Sequence, residues 1–225
     1  MMNLPRKKTV VIPISAGIDS TLCAYAAKSN GNKVLLIHFN FGKKSSLMEL
    51  HYSKLTAAAL GVPIEIVDTS GLKHLQIGYV PINTLGLDEL DMSGDPMPKA
   101  IVSGFHTLMS TSAYFAQLRG ADAILFGIIK EQTEERPLLS EALTTFSKFL
   151  AQINPQATRL KMVAPLIEMT KSEVVLAAVN AQVPLENTWS CTEGGYDHCG
   201  KCFSCNERKL AFAATKLHDP TIYGS

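Results

Sequence analysis

Four of the chain's five cysteines stand within fifteen residues, in the spacing Cys191-x7-Cys199-x2-Cys202-x2-Cys205. Four thiols so close together, with His198, Gly200 and the pair Gly194-Gly195 letting the backbone wrap, suit a tetrahedral cation with a closed shell, above all Zn2+. An iron–sulfur cluster is the competing metal reading, because C-x2-C-x2-C occurs in ferredoxin-type runs, although here Asn206-Glu207-Arg208 replaces the C-x3-C-P continuation. Four uncoordinated structural cysteines are the plainer alternative. Local clustering differs from the dispersed spacing of a disulfide framework, so a reducing cytoplasm is the expected setting. Cys23 stands apart on an apolar helical stretch and reads as a small buried residue rather than a nucleophile.

The second stretch with chemical content is Ser15-Ala16-Gly17-Ile18-Asp19-Ser20-Thr21. Backbone N–H groups, a helix amino terminus and several hydroxyls converge there, which is chemistry for a phosphate. Neither the Walker pattern nor the G-x-G-x-x-G fingerprint is present. The competing reading is a tight strand-to-helix turn in which Asp19 or Ser20 serves only as a cap.

These residues need elements to hold them. Thr9 to Ile14 is a continuous, β-branched run of the kind that forms a strand covered on both faces, and an alanine-rich helix from Thr21 to Lys28 follows, stopped by Asn30-Gly31. Lys33 to Phe39 is a second strand, which completes a βαβ unit. Glu49 to Leu60 predicts a helix ending at Gly61, and Ile64 to Val67 a third strand. Thr69 to Pro98 lacks sustained period and reads as a long loop or insertion. Helices are expected over Ala100 to Leu118, Pro137 to Leu150 and Ser172 to Asn180, the last capped by Thr170, with a strand from Ala123 to Phe126 ending at Gly127. The fold class is therefore α/β, a doubly wound and mostly parallel sheet with a cysteine-bearing appendage at the carboxyl end.

Composition bounds the rest. At 225 residues, with 46% hydrophobic and 18% charged residues and a formal charge of +1, the chain is long enough for a real core and too balanced for a disordered tail or a nucleic-acid coat. Neither a membrane span nor a secretory signal is expected from its apolar runs. No sizeable basic stripe points to nucleic acid as a partner, although Arg6-Lys7-Lys8 and Lys43-Lys44 are basic.

The loop is similar to the S-G-G-x-D-S-[ST] signature of PP-loop ATP pyrophosphatases, in the adenine-nucleotide α-hydrolase-like superfamily, with Ala16 in place of the first glycine. The added methyl is tolerated there only at negative φ or at the cost of altered loop geometry. With Ser190-Cys191, His198-Cys199-Gly-Lys-Cys202-Phe-Ser-Cys205-Asn-Glu-Arg208 and Ala211-Phe212, the chain resembles QueC, the 7-cyano-7-deazaguanine synthase family of queuosine biosynthesis. Phe39-Asn-Phe41-Gly42-Lys43-Lys44, the strand from Gly120 to Gly127, and Pro165-Leu166 with Lys171 match further family segments.

The resemblance implies one PP-loop domain over 1–225 with a zinc module in residues 186–215, and cofactors ATP, Mg2+ and Zn2+. It implies phosphate contacts from Ser15 through Thr21, adenine contacts from the backbone of His38 and Phe39, and a nucleotide-side place for Gly127. Asp19 is the candidate for holding Mg2+, and Lys171 for the cation that offsets pyrophosphate charge. A cap and a solvated helix-end lysine are their respective alternatives. The implied reaction adenylates the carboxylate of 7-carboxy-7-deazaguanine, lets ammonia displace AMP, and dehydrates the amide with a second ATP. A homodimer is implied as well.

The substrate side departs from the family. Ile101 to Phe105 stands where V-P-x-R-N is usual, and Arg136-Pro137-Leu138-Leu139-Ser140 where Y-P-D-C-R is usual. Lys99, Lys130, Glu131, Glu134, Glu135 and Arg136 are either replacements or simply a solvated loop. A paralogue that joins the deazaguanine to another amine, such as a protein terminus in antiviral defence, and a nucleotide- or zinc-binding module without catalysis remain as alternatives.

Overall fold

Val10, Val11 and Ile12 are fully buried because both faces of their strand are covered, as the unbroken apolar run requires. In the computed structural model, which describes residue 2 and residues 4–71, 100–134, 138–154 and 159–224 (backbone only for 100–104), that strand is the centre of a five-stranded sheet. The strands are β1 (Thr9–Pro13), β2 (Lys33–Asn40), β3 (Ile64–Asp68), β4 (Ala123–Leu125) and β5 (Lys161–Val163). Their order is β3-β2-β1-β4-β5 and every pairing is parallel.

Strand alternation divides the apolar residues between two layers. Val10 and Ile12 face a core shared with α1 (Ile18–Ser29), α6 (Lys171–Asn180) and α7 (Phe203–Thr215). Val11, Ile37 and Ile124 face the opposite core, shared with α3 (Ala100–Leu118) and α5 (Leu139–Ile153). The remaining helices are α2 (Ser46–Leu60) and the short α4 (Lys130–Glu134). The chain runs from β1 outward through β2 to β3 and then returns to the other side of β1 for β4. The carboxyl ends of β1 and β4 therefore flank the crevice where doubly wound sheets bind ligands.

Several local expectations hold. Gly61 closes α2 at φ 59°, and Thr170 caps α6 in a full capping box with Glu173. The first helix begins earlier than the expected Thr21, at Ile18, so Ile18, Asp19 and Ser20 lie in its first turn rather than in a preceding loop. The fifth strand was not legible, since three residues are too few to display a period. The expected loop from Thr69 to Pro98 lies outside the described residues from position 72 onward. Lys99, Glu135, Arg136 and Pro137 lie outside them too.

Candidate active site and metal centre

The loop that begins at Ser15 leaves β1 and enters α1 with Gly17 as N-cap and no side chain capping it. Asp19 is thus not a cap. Its carboxylate accepts two hydrogen bonds from the Lys171 ammonium, at 2.9 and 2.7 Å, across 152 residues of sequence. Lys171 in turn is not a solvated helix-end lysine, since it and Asp19 are only about one-fifth exposed. The Lys171 backbone N–H donates to Glu131 Oε1 at 2.8 Å, which ties the start of α6 to α4 beside the crevice. Glu131 therefore reads as an anchor and not as part of a solvated loop, whereas the Lys130 ammonium pairs with Glu134 at the surface, at 3.6 Å.

Ser20 Oγ donates to the Gly17 carbonyl at 3.3 Å and accepts from the Ser15 N–H at 3.3 Å. The Thr21 hydroxyl is buried without a hydrogen-bond partner among the described residues. Ala16 departs from the condition set for its methyl group: it adopts φ 63° and is fully buried. A left-handed non-glycine residue costs about 1–2 kcal/mol, so its surroundings must hold it there.

Gly127 sits hard against this turn. A methyl group at its Cα would come within 2.7 Å of Ser20 N and 2.9 Å of the Asp19 carbonyl carbon, both backbone atoms that cannot give way alone. Gly127→Ala is accordingly expected to lower stability by about 1–3 kcal/mol and to raise KM for ATP as the loop shifts. A thermal melt and ATP titration of the rate check both.

His38 and Phe39 lie past the last β1–β2 register pair, Pro13 with Ile37, so the strand edge there faces the loop region. The His38 side chain adds a role not foreseen: Nδ1–H donates to the Ile14 carbonyl at 2.9 Å, pinning the chain one residue before the loop. Burial lowers its pKa from 6.5, and Lys54 adds to the effect, while the Ile14 bond and Glu49 oppose it. Below pH 6.5 the unfolded chain then binds the proton that the folded chain resists, so stability is full above that value and falls as pH drops. Chemical denaturation between roughly pH 7 and pH 5 should show a shallower acid decline for His38→Gln than for the parent chain.

The cysteine tetrad assembles as its spacing predicts. The ligand atoms of Cys191, Cys199, Cys202 and Cys205 lie within 4.8 Å of one another. Metal–sulfur bonds of about 2.3 Å require sulfurs about 3.8 Å apart, so the cluster needs only to tighten by about an ångström to close on a cation. Backbone N–H groups already point at sulfur: Glu193 and Cys199 donate to Cys191 Sγ at 3.4 Å, and Cys202 donates to Cys199 Sγ at 3.3 Å. Burial pushes the Cys202 thiol up, but hydrogen bonds from Thr192 and Cys205 outweigh it and bring it to about 7. Burial raises Cys191 and Cys205, a balance that a central cation reverses. Donor set and geometry fit a structural metal. Cys23 is fully buried and protonated, consistent with a packing role.

Behind the tetrad lies a buried guanidinium. Arg208, fully buried, donates to Asp219 at 3.1 Å, to Thr188 Oγ1 at 2.7 Å and to the Leu185 carbonyl at 3.0 Å, while the Tyr223 hydroxyl donates to Asp219 at 2.6 Å. The Gly224 N–H donates to the His198 carbonyl at 2.8 Å. The cysteine module is therefore fastened by residues beyond position 215. It also presses on the β2–α2 connection, where Gly194 at φ 77° leaves no room for a methyl against the Lys44 carbonyl.

The sequence model of the family described as "Queuosine biosynthesis protein QueC" matches residues 8–216. The chain belongs to the QueC family. It is 30% identical over 218 residues to the 7-cyano-7-deazaguanine synthase of Campylobacter hominis, covering 95% of this chain and 98% of that one. With the 7-cyano-7-deazaguanine synthase 2 of Sulfurisphaera tokodaii it shares 31% over 227 residues, 96% of this chain but 48% of the archaeal protein. The chain thus spans about half the length of its archaeal relatives and nearly all of the Campylobacter one.

Among solved structures, the U34-tRNA thiolase NcsA from Methanococcus maripaludis, described with its [4Fe-4S] cluster, aligns with TM-score 0.55 at 15% identity over 94% of this chain and 66% of that one. The NMN synthetase of Francisella tularensis aligns with TM-score 0.51 at 12% identity over 95% and 79%. These likenesses show that the parallel sheet and its flanking helices share the fold of those two proteins. No helix among the described residues is long and apolar enough to cross a membrane.

Asp219 and Trp189 escaped the sequence reading, as did the roles that the structure gives to the His38 side chain, Glu131 and Arg208. Trp189 left a usable trace, as the single tryptophan of the chain two residues before Cys191.

Proposed function

We propose that this QueC-family chain makes 7-cyano-7-deazaguanine from 7-carboxy-7-deazaguanine, ammonia and ATP. A carboxylate is a poor electrophile, and it becomes a good one as a mixed anhydride. A substrate carboxylate oxygen attacks the α-phosphorus of ATP, the α–β bridging bond breaks, and pyrophosphate leaves. Ammonia then attacks the acyl carbon, AMP departs, and a proton is lost to give the amide. A second ATP activates the amide oxygen, and loss of AMP and protons leaves the nitrile.

The observation that carries this reading is the Asp19–Lys171 pair at the mouth of the Ser15–Thr21 loop. Lys171 supplies the positive charge for departing pyrophosphate, and the first turn of α1 offers its N–H groups and the Ser20 and Thr21 hydroxyls to the same anion. Asp19 and its neighbours would hold Mg2+, which neutralises phosphate charge when bound. Gly127 lets the chain pass close to the first turn of α1, and the backbone of His38 and Phe39 would read the adenine edge. Zn2+ is the metal proposed for the cysteine tetrad, in a structural role, because four cysteines with N–H···S support close its shell and leave no open position. A cytoplasmic setting fits free thiols of this kind.

The test is mass spectrometry of products after incubation of metal-replete protein with Mg2+-ATP, 7-carboxy-7-deazaguanine and ammonium. Nitrile with two AMP per turnover is the expected result. AMP without nitrile would redirect the same activation chemistry to another amine acceptor, and no AMP at all would overturn the proposal.

A further inference from the structure

The phosphate loop and the cysteine tetrad lie far apart in sequence, yet one residue touches both. The Trp189 backbone N–H donates to the Ala16 carbonyl at 2.9 Å, and its indole Nε1–H donates to the Cys191 carbonyl at 2.7 Å. Its ring lies 4.1 Å from the His198 ring and 5.5 Å from Tyr52, centroid to centroid, and His198 Nε2 accepts from the Ser190 N–H at 3.0 Å. Trp189 is 2% exposed. Ala16, Trp189, Cys191 and Cys205 form one buried cluster, with Cys199, Cys202, Met48, Tyr52 and Tyr223 packed on it.

Ala16 makes this contact consequential. Its left-handed backbone is unfavourable for any residue with a Cβ, so the loop keeps that shape only while its surroundings over-determine it. Those surroundings include Trp189 and the cysteines, with Met48, Tyr52 and Tyr223 packed on the same cluster. The Cys191 carbonyl that fixes the indole belongs to a metal-ligand candidate, so drawing the four sulfurs together also sets where the indole and the Ala16 carbonyl rest.

We infer that Trp189 is a positioning residue through which metal occupancy sets the affinity of the phosphate loop for nucleotide. By linkage the coupling is reciprocal: nucleotide in the loop tightens the hold on the metal by the same factor that the metal tightens the hold on nucleotide. The inference rests on the nucleotide reading of the Ser15–Thr21 loop and adds a partner to it.

The experiment uses the full chain loaded with Zn2+ and the β,γ-imido analogue of ATP with Mg2+. In the parent protein, apparent Zn2+ affinity in competition with a chromogenic chelator is measured with and without the analogue, and roughly 5-fold or greater tightening is expected. Trp189→Phe keeps the ring stack and the backbone bond but loses the indole N–H. It should retain stoichiometric zinc, bind the analogue about tenfold more weakly by calorimetry, and lose the effect of nucleotide on zinc affinity. The emission of Trp189, the only tryptophan, should shift when the parent protein binds the analogue.

If the analogue fails to bind the zinc-loaded parent, the nucleotide reading of the loop itself falls. If it binds but zinc affinity does not change, the coupling is overturned while that reading stands. The parent measurement decides this even should the Phe variant fold poorly.

Discussion

Lys171→Met should reduce AMP formation by about 10²–10³-fold, the magnitude associated with losing one preorganised group aimed at developing negative charge. Asp19→Asn should produce a loss of the same order. The pair is bidentate and only about one-fifth exposed, so removing one partner leaves the other largely buried and unpaired, which costs more than the roughly 0–1 kcal/mol of an exposed pair. Both variants should therefore melt below the parent, and pyrophosphate release is measured well below their melting transitions, where its collapse reports lost turnover and not unfolding. Retained turnover in Asp19→Asn would reduce the pair to a structural clasp between α1 and α6. The capping alternative for Asp19 is already out, since Gly17 occupies the cap position without side-chain help.

Cys202→Ser, or extraction of the metal, should be the most damaging change to the fold. Apparent binding free energies of structural zinc in small peptides run to about 10–16 kcal/mol, comparable with the roughly 5–15 kcal/mol that separates a whole domain from its unfolded chain. Two consequences are expected together: metal content falls, and the melting transition drops or splits as the segment around α7 comes loose. Trp189 reports the event, because an indole that is 2% exposed moves to red-shifted emission once its packing on His198 and Tyr52 is lost. Arg208 sharpens the expectation, since its charge is fully buried and paired only while Asp219, Thr188 and the Leu185 carbonyl hold their places. A metal-free parent protein with unchanged melting and emission would remove the structural role assigned to the tetrad.

Much of this protein was legible because the features in question are local. A β-branched run between turns, glycine at a helix end, Thr170 three residues before Glu173 and four cysteines in fifteen positions each encode their outcome within one or two turns of chain. The Ala16 backbone was not legible in this way: one position of a signature says that a loop is present, but not which φ its surroundings impose. The extent of α1 was missed for a related reason. Small polar residues favour turns when alone, yet Asp19 and Ser20 enter a helix once Gly127 and α6 pack against its first turn.

By itself, then, the sequence determined the parallel α/β core, the turn after β1 and the cysteine cluster, since each depends on short-range pattern and residue chemistry. Tertiary structure alone decided that Lys171 meets Asp19, that Glu131 anchors the α6 start, that His38 pins Ile14, and that Trp189 ties the Ser15–Thr21 loop to the cysteines. Those contacts join segments whose separation carries no period or spacing. They exist only because sheet order 3-2-1-4-5 brings the ends of β1, β2 and β4 together with the starts of α1 and α6.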